Sequence, residues 1–365
     1  MKADFRSSIP RLKRLLPRFR KIRIAVLGDL MLDRYLWGVA NRLSPEAAVP
    51  VVDFESQTDG LGGAANVAAN LTALGAHVEL FGVVGGQKRA GKEAADDAAG
   101  AGLRACLRKA RIGDRGVLAV ARRITTVKTR VIARHQQIVR IDHERRLPLA
   151  PETEETLFRA LLASLKGVDA LTLSDYDKGL ISDAFADRIL SACHQLKLPV
   201  FVKPKTTSLY AYRGARVIAC NTREASFYVT RSLTDEKSIE EAGRALLSHF
   251  GCAAVVITRG EKGMSVFEEG TPHPLHIPAT SSEVTYARVG QPGVDPGATG
   301  RQVFDVTGAG DTVLGVLSLA MAAGASLPDA ALLANTAAGV VVGKLGTANV
   351  APSELAVALE EFHPR

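Results

Sequence analysis

The chain has little with which to brace itself covalently or through metal. Its 365 residues include only four cysteines, Cys106, Cys193, Cys220 and Cys252, in no metal-ligand or disulfide spacing. They read as reduced thiols, mostly in the core, of a cytoplasmic protein. Long apolar runs are also missing. The most apolar stretch, Val313 to Gly343, is interrupted by Gly324, Pro328, Asp329 and Asn335, whereas a membrane span needs ~20 continuous apolar residues. Two buried helices joined by a turn suit it better. The N-terminus, Lys2 to Arg23, is basic but lacks the apolar block of a signal peptide. No aromatic-rich surface accompanies that basic segment, so no nucleic-acid partner and no membrane partner is expected.

What is present is an ordered globular composition. Apolar residues make up 47% and charged residues 23%, which excludes a disordered chain. The net charge of +8 comes from 46 basic against 38 acidic residues. It would suit an anionic substrate such as ATP or a sugar phosphate, or a nucleic acid; a basic N-terminal tail with scattered surface charge is the more ordinary source of such an excess. Residues 1–21 read as a basic N-terminal leader helix, amphipathic over Arg11 to Arg20 and solvated. Residues 22–365 are long for one domain but within range for α/β architecture.

Short apolar runs alternate with helical segments. Strands are expected at Ile22 to Leu27, His77 to Val84, Val168 to Leu173, Pro199 to Val202, Val217 to Ala219 and Ala254 to Thr258. Helices are expected at Gly62 to Gly75, Lys88 to Gly102, Pro151 to Lys166, Ser182 to Leu196 and Glu240 to Phe250. This alternation implies an α/β fold with a mainly parallel, doubly wound sheet. Tyr35 to Arg42 and Val49 to Phe54 read as two further strands joined by a Ser-Pro turn. A two-stranded element is marginal alone and has open edges that favour a partner. Thr125 to Ala133 and Ile138 to His143 alternate as two more strands. Pro278 to Arg301, rich in Gly, Pro, Ser and Thr, reads as a long loop.

The stretch that carries chemistry is Asp305-Val306-Thr307-Gly308-Ala309-Gly310-Asp311-Thr312, running into an apolar segment. It reads as a loop entering a buried helix, with Thr307 as N-cap. Gly308 and Gly310 let an anion approach the first-turn N–H groups, where the helix dipole attracts phosphate. Asp311, in that first turn, can take a proton from a substrate hydroxyl. An anion cradle beside a carboxylate base is what phosphoryl transfer to an alcohol needs. Spacing alone also allows a plain tight turn followed by a helix-start acid.

This stretch resembles the C-terminal signature of the ribokinase-like (PfkB) carbohydrate kinases. Leu61-Gly62-Gly63-Ala64-Ala65-Asn66-Val67-Ala68-Ala69-Asn70-Leu71 resembles their N-terminal signature. The resemblance implies a ribokinase-like fold, with Asp311 as catalytic base and Gly308, Ala309 and Gly310 as anion hole. Asn221-Thr222-Arg223-Glu224 is similar to the family's nucleotide-side motif, with Asn221 and Glu224 near the Mg²⁺ of ATP, acting through water. Read without the resemblance, Asn221 is a helix cap and Glu224 a first-turn acid. Gly260 and Gly263, in the turn Arg259 to Gly263, would line the nucleotide phosphates. A monovalent cation near the catalytic turn is a further possible cofactor. In this family two such strands, here around residues 34–54, form a small β lid outside the main sheet, and lids often pair, which implies a homodimer.

Gly28-Asp29-Leu30-Met31-Leu32-Asp33-Arg34-Tyr35 narrows the resemblance to the D-glycero-β-D-manno-heptose 7-phosphate kinases. So do Asn41 to Val52, Lys128 to Gln137, Leu173 to Gly179 and Gly339 to Thr347. On this reading the chain phosphorylates the heptose phosphate at its 1-hydroxyl with ATP. Asp33, Gly62, Gly63 and Asn66 would contact the sugar. Lys128 and Arg130, two residues apart on a strand, would share a face and clamp the 7-phosphate, with Lys178 as a second phosphate candidate. Solvated strand charges are the alternative for all three. The alternatives for the whole chain are a kinase of another sugar, or a sugar- or nucleotide-binding protein without turnover.

Four departures from the family pattern stand out. An Asp usual soon after Gly85 is replaced by Gly86-Gln87-Lys88. Lys203 stands where the subfamily usually has Asp, and the Gly usual after Lys205 is missing. Residues 279–301 exceed the family's usual link and read as a flexible insertion. No second catalytic domain follows, so a nucleotidyltransferase half is not expected.

Overall fold

The computed structural model describes residues 5–89, 92–133, 136–205, 211–280, 306–344 and 346–361. Most of the expected loop Pro278 to Arg301, the insertion 279–301 beyond its first two residues, and Asp305 lie outside them.

Ten strands form one sheet. From edge to edge the order is Leu275–Ile277, Met264–Glu268, Ala254–Thr258, Val217–Asn221, Val200–Lys203, Ala170–Ser174, Arg23–Gly28, His77–Arg89 and Lys92–Asp96, with Gly113–Ala121 also paired to His77–Arg89. The strands from Ala254–Thr258 through to His77–Arg89 run parallel. Antiparallel pairs appear towards the edges, at Ala254–Thr258 with Met264–Glu268, at Met264–Glu268 with Leu275–Ile277 and at His77–Arg89 with Lys92–Asp96.

Arg23–Gly28 sits mid-sheet, and its side chains alternate between two cores. Ile24 and Val26 enter one core, with the helices Ala64–Ala73, Ala309–Ala322, Leu327–Val341 and Pro352–Glu360. Ala25 and Leu27 enter the other, with Pro151–Leu165, Asp183–Gln195 and Glu236–Phe250. A strand with period-two side chains and cover on both faces must be apolar throughout, which is why this run lacks polar alternation. Both cores thereby fix the C-terminal ends of the parallel strands, the edge where such sheets place ligands.

The lid is larger than expected. Leu30–Leu43 pairs antiparallel with Pro50–Gly63 and parallel with Thr126–Ala133, which pairs with Gln136–His143, giving a four-stranded sheet. The two strands anticipated at Thr125 to Ala133 and Ile138 to His143 thus belong to it. A third and fourth strand supply the pairing that two strands lack.

Two other expectations are corrected, and one strand is new. The helix anticipated at Lys88 to Gly102 is instead the end of one strand, a second strand Lys92–Asp96, and a helix Ala98–Lys109 capped by Asp97. Ala, Lys and Glu favour helix locally, but pairing at the sheet edge overrides so weak a preference. The strand Gly113–Ala121 was not anticipated at all. The N-terminal segment is not a solvated leader. Its helical turns Phe5–Ser8, Ile9–Leu15 and Leu16–Lys21 bury Phe5, Leu12, Leu15, Leu16 and Phe19 in the main core, leaving the arginines outside.

Candidate active site

The helix Ala309–Ala322 begins at the C-terminal edge of the sheet. Gly308, not Thr307, occupies its N-cap position, at φ 81°. Two constraints require glycine there. The backbone is left-handed, and a Cβ would lie 2.5 Å from Asn66 Nδ2. Two N–H groups of this turn are already bonded, Ala309 N to Val306 O at 3.3 Å and Asp311 N to Gly308 O at 3.0 Å, so an anion cradle at Gly308, Ala309 and Gly310 would rely on the glycine backbone and the helix dipole.

Asp311 lies in the same turn with 3% of its surface exposed. Its Oδ2 accepts from Asn66 Nδ2 at 3.1 Å. Its Oδ1 accepts from Tyr176 Oη at 2.6 Å and from Lys203 Nζ at 3.0 Å. Asn66 is held in turn by Asn70, whose Nδ2 donates to the Asn66 side-chain oxygen at 3.2 Å, and Thr312 Oγ1 donates to Asn70 at 3.1 Å. The two signature helices are therefore stitched together by polar side chains in the core. Such a network orients the carboxylate because each member is satisfied.

Asp33 is brought to the same place. It is buried, and its Oδ1 accepts from Arg130 Nη1 at 2.7 Å. A Cβ on Gly62 would lie 2.6 Å from Asp33 Oδ2, so Gly62 is the space that carboxylate occupies. Gly63 follows at φ 59° and caps Ala64–Ala73. Burial raises the pKa of Asp33, and the Arg130 charge opposes that rise.

Lys128 and Arg130, expected to clamp the 7-phosphate together, face different partners in the structure. Arg130 is spent on Asp33 and packs its guanidinium 5.3 Å from the Tyr35 ring centroid. A buried carboxylate demands a partner more strongly than a solvated phosphate would. Lys128 instead meets Lys178. Lys128 Nζ lies 3.1 Å from both Asp142 and Glu144, and Lys178 Nζ lies 2.7 Å from Glu144. These acids were not singled out in the sequence.

The strand ends below the site hold buried acids. Asp29 accepts from the backbone N–H of Tyr176 at 2.8 Å and of Lys178 at 3.2 Å. Asp175 accepts from Tyr212 Oη at 2.6 Å. Burial, then the neighbouring Asp175, pushes the pKa of Asp29 up to about 6.

An Asp does stand beside Gly85 in space. The hairpin after Gly85 returns Asp97, whose N–H donates to Gly85 O at 2.9 Å. Its carboxylate accepts from Thr125 N at 2.8 Å and Thr125 Oγ1 at 2.7 Å. The Asp96-Asp97-Ala98-Ala99-Gly100 run was the available sequence signal for it.

The nucleotide-side motif is a reciprocal capping box. Asn221 Oδ1 accepts from Glu224 N at 2.8 Å, and Glu224 Oε2 accepts from Asn221 N at 3.0 Å. Glu224 Oε1 faces Lys205 Nζ at 3.2 Å. Thr222 Oγ1 donates to Thr258 O at 3.2 Å, and Arg223 is exposed. Gly260 and Gly263 both take positive φ, and a Cβ on Gly263 would lie 2.1 Å from Ile277 O. An open cleft of about 830 Å³ runs from Gly260 and Gly263 to Ala309 and Gly310, with Asn335 and Gly339 on its other wall.

Sequence reasoning missed Tyr176 and gave Lys203 no role beyond a departure. Tyr176 directly follows a buried strand end, the one local hint that it could face a ligand.

Solved structures with this fold include ribokinase of Arabidopsis thaliana complexed with ribose and ATP, at a TM-score of 0.68 and 17% identity, covering 93% of this chain and 99% of that one. Phosphofructokinase-2 from Escherichia coli in complex with potassium matches at a TM-score of 0.70 and 17% identity, with the same coverage. Closer in sequence is the bifunctional protein HldE of Citrifermentans bemidjiense, 41% identical over 338 residues, which are 93% of this chain and 63% of that protein. HldE of Methylococcus capsulatus is 42% identical over 347 residues, or 94% and 65%. The chain thus spans under two thirds of the length of these curated relatives. The model of the pfkB carbohydrate kinases matches residues 21–354 and takes in both signatures, the lid and the nucleotide-side motif, so the chain belongs to the pfkB family of carbohydrate kinases.

Proposed function

We propose that the chain transfers the γ-phosphoryl group of ATP to the 1-hydroxyl of D-glycero-β-D-manno-heptose 7-phosphate. The product, a 1,7-bisphosphate, would lead towards ADP-heptose for lipopolysaccharide cores. The observation that carries this reading is Asp311, buried at a glycine-opened helix start and held by Asn66 of the other signature. Asp33, fixed by Arg130, faces the sugar with hydrogen-bond acceptors. Gly62 and Gly63 allow the sugar close to the backbone.

Asp311 takes the proton of the attacking hydroxyl, and the first-turn N–H groups of Gly308 to Gly310 receive the charge of the transferring group. Lys128 and Lys178 are the cations for the 7-phosphate, once that phosphate displaces Glu144 from between them. The cleft beside Gly260 and Gly263 takes the nucleotide.

Among the described residues no cluster of three or more His, Cys, Asp or Glu side chains gathers to hold a metal. Glu224 offers one carboxylate oxygen, shared with Lys205, while the Asn221 side-chain oxygen is used by the cap. This set fits a Mg²⁺ that keeps its waters and binds chiefly to phosphate oxygens. When bound, Mg²⁺ would offset the charge of the ATP phosphates.

The lid leaves Leu43, Val49, Phe54, Val139 and Ile141 exposed. These exposed apolar side chains support a homodimer through the lid, since exposed apolar area favours association. Among the described residues no helix is long and apolar enough to cross a membrane; a cytoplasmic location is part of the proposal.

The test is ADP release with ATP, Mg²⁺ and the heptose phosphate, beside unphosphorylated sugars and with potassium replaced by a large organic cation. Turnover with the heptose phosphate alone supports the assignment. Turnover only with another sugar keeps the kinase and discards the heptose. A second reading, a binding protein without turnover, is favoured by the Lys203 contact to Asp311, and ATP binding without ADP release would select it.

A further inference from the structure

One charge in the active site has no counterpart in the family pattern. Lys203 ends the strand Val200–Lys203, and its side chain is largely buried. Its Nζ donates to Asp311 Oδ1 at 3.0 Å and to Tyr176 Oη at 2.8 Å, and stands 4.5 Å from the Tyr176 ring centroid. Its tail runs along the start of the catalytic helix: a Cβ on Gly310 would lie 3.2 Å from both Cε and Nζ. The ammonium therefore sits on the border between the carboxylate and the anion cradle.

The protonation states follow from the surroundings. Burial opposes the Lys203 charge, but Asp311 and Tyr176 outweigh it and hold the amine protonated above its ordinary range. Burial and then the Asp311 charge keep the Tyr176 hydroxyl protonated, so it donates to Asp311. Both donors converge on Oδ1. Oδ2 takes Asn66 and, with two lone pairs, retains capacity for a substrate proton.

We propose that Lys203 is a catalytic residue of the phosphoryl transfer, its ammonium passing from Asp311 Oδ1 to the transferring phosphoryl group as the reaction proceeds. This rests on the kinase reading above. The acceptor oxygen forms a bond to the γ-phosphorus. The bond from that phosphorus to the β–γ bridging oxygen breaks, and ADP leaves with the electron pair. The hydroxyl proton moves to Asp311 Oδ2. A protonated Asp311 no longer holds the ammonium by charge, while negative charge has gathered on phosphoryl oxygens beside the helix start. Lys203 keeps Tyr176 and exchanges its other hydrogen bond. Its attraction to the reacting group is then greater in the transition state than in the ground state, which is the condition for lowering the barrier. An Asp at this position could not act in this way.

The experiment uses the full chain and two substitutions. Lys203→Met removes charge and polar contact, and Lys203→Gln keeps a polar contact without charge. Each is measured for kcat and KM, for ATP binding, and for binding of ADP, Mg²⁺ and aluminium fluoride, a mimic of the transferring group. Both should lower kcat by roughly 10²–10³-fold, as for loss of one charge-stabilising donor. ATP affinity should stay within about threefold, and affinity for the mimic should fall by about tenfold or more, because transition-state mimics report selective binding. A merely structural lysine would be replaced by Gln with little loss of mimic affinity. Wild-type kcat and mimic affinity in Lys203→Gln would overturn the proposal while leaving the kinase reading intact. Should Lys203→Met not fold, the Gln variant decides alone. No turnover by the unaltered chain with any sugar would sink the kinase reading, and this proposal with it.

Discussion

The proposed acceptor half and the proposed nucleotide half of the site are built from different materials. Around Asp311 and Asp33 the chain buries charge and satisfies it with side chains from four separate segments, namely Asn66, Arg130, Tyr176 and Lys203. Around Asn221 and Gly260 it uses backbone, a local capping box and glycine turns open to solvent. A buried carboxylate without its partner is costly, whereas a cap or turn contributes little on its own. The acceptor half should therefore be brittle and chemically demanding, and the nucleotide half tolerant.

Mutation should expose that contrast. The largest effect is expected at Asp311→Asn, with kcat falling on the order of 10²–10⁴-fold, the usual worth of a positioned acid–base group. ATP affinity, read by calorimetry, should change little. A near-normal rate would remove Asp311 from the mechanism.

Next comes Arg130→Met. It strands Asp33 in a buried site, and breaking such a pair by removing one partner costs roughly 3–5 kcal/mol. Urea unfolding should show that loss, and KM for the sugar should rise. A variant as stable as the parent would mean that Asp33 is not held by Arg130.

A third test concerns pH. Asp29 has its folded pKa raised to about 6 by burial and by Asp175. The folded chain then binds this proton more tightly than the unfolded chain does. Its stabilising contribution is fully present below the ordinary Asp value, near pH 4, and is lost as pH rises through about 6. A shift of this size corresponds to roughly 3 kcal/mol. Unfolding free energy should fall across that window, and Asp29→Asn should flatten it. Stability that instead climbs steadily from pH 4 to 7 with Asp29 in place would contradict the shift.

The smallest effect belongs to the nucleotide half. Asn221→Ala removes one side of a capping box and should cost about 1 kcal/mol. Its kcat should stay within a few-fold of the parent, because the cap oxygen is already bonded to Glu224 N. A loss in kcat as large as that of Asp311→Asn would erase the distinction between the halves.

The same division marks what could be read in advance. The parallel sheet was legible because its central strands are covered on both faces and so read as unbroken apolar runs, as at Ile24 to Leu27. The helix start at Ala309 was legible as a loop entering a buried helix because its glycines are needed locally, Gly308 by a left-handed turn and Gly310 by the close approach of Lys203. The lid was half legible: Thr126–Ala133 and Gln136–His143 alternate as strands, but nothing in alternation says which sheet a strand joins. The edge hairpin at Lys92–Asp96 was not legible, since its Lys, Glu and Ala prefer helix when nothing pairs with them.

The central parallel strands, the layering of helices on both faces and the helix start at Asp311 follow from the sequence alone, because periodicity and glycine placement are properties of neighbouring residues. Which charges meet did not follow. Lys128 and Arg130 share a strand, yet one joins Lys178 around Glu144 and the other is taken by Asp33, 97 positions away in the chain. Lys203 and Asp311 meet across 108 positions. Ion pairing is decided by burial and distance in space, and both exist only once the two cores have closed around the sheet.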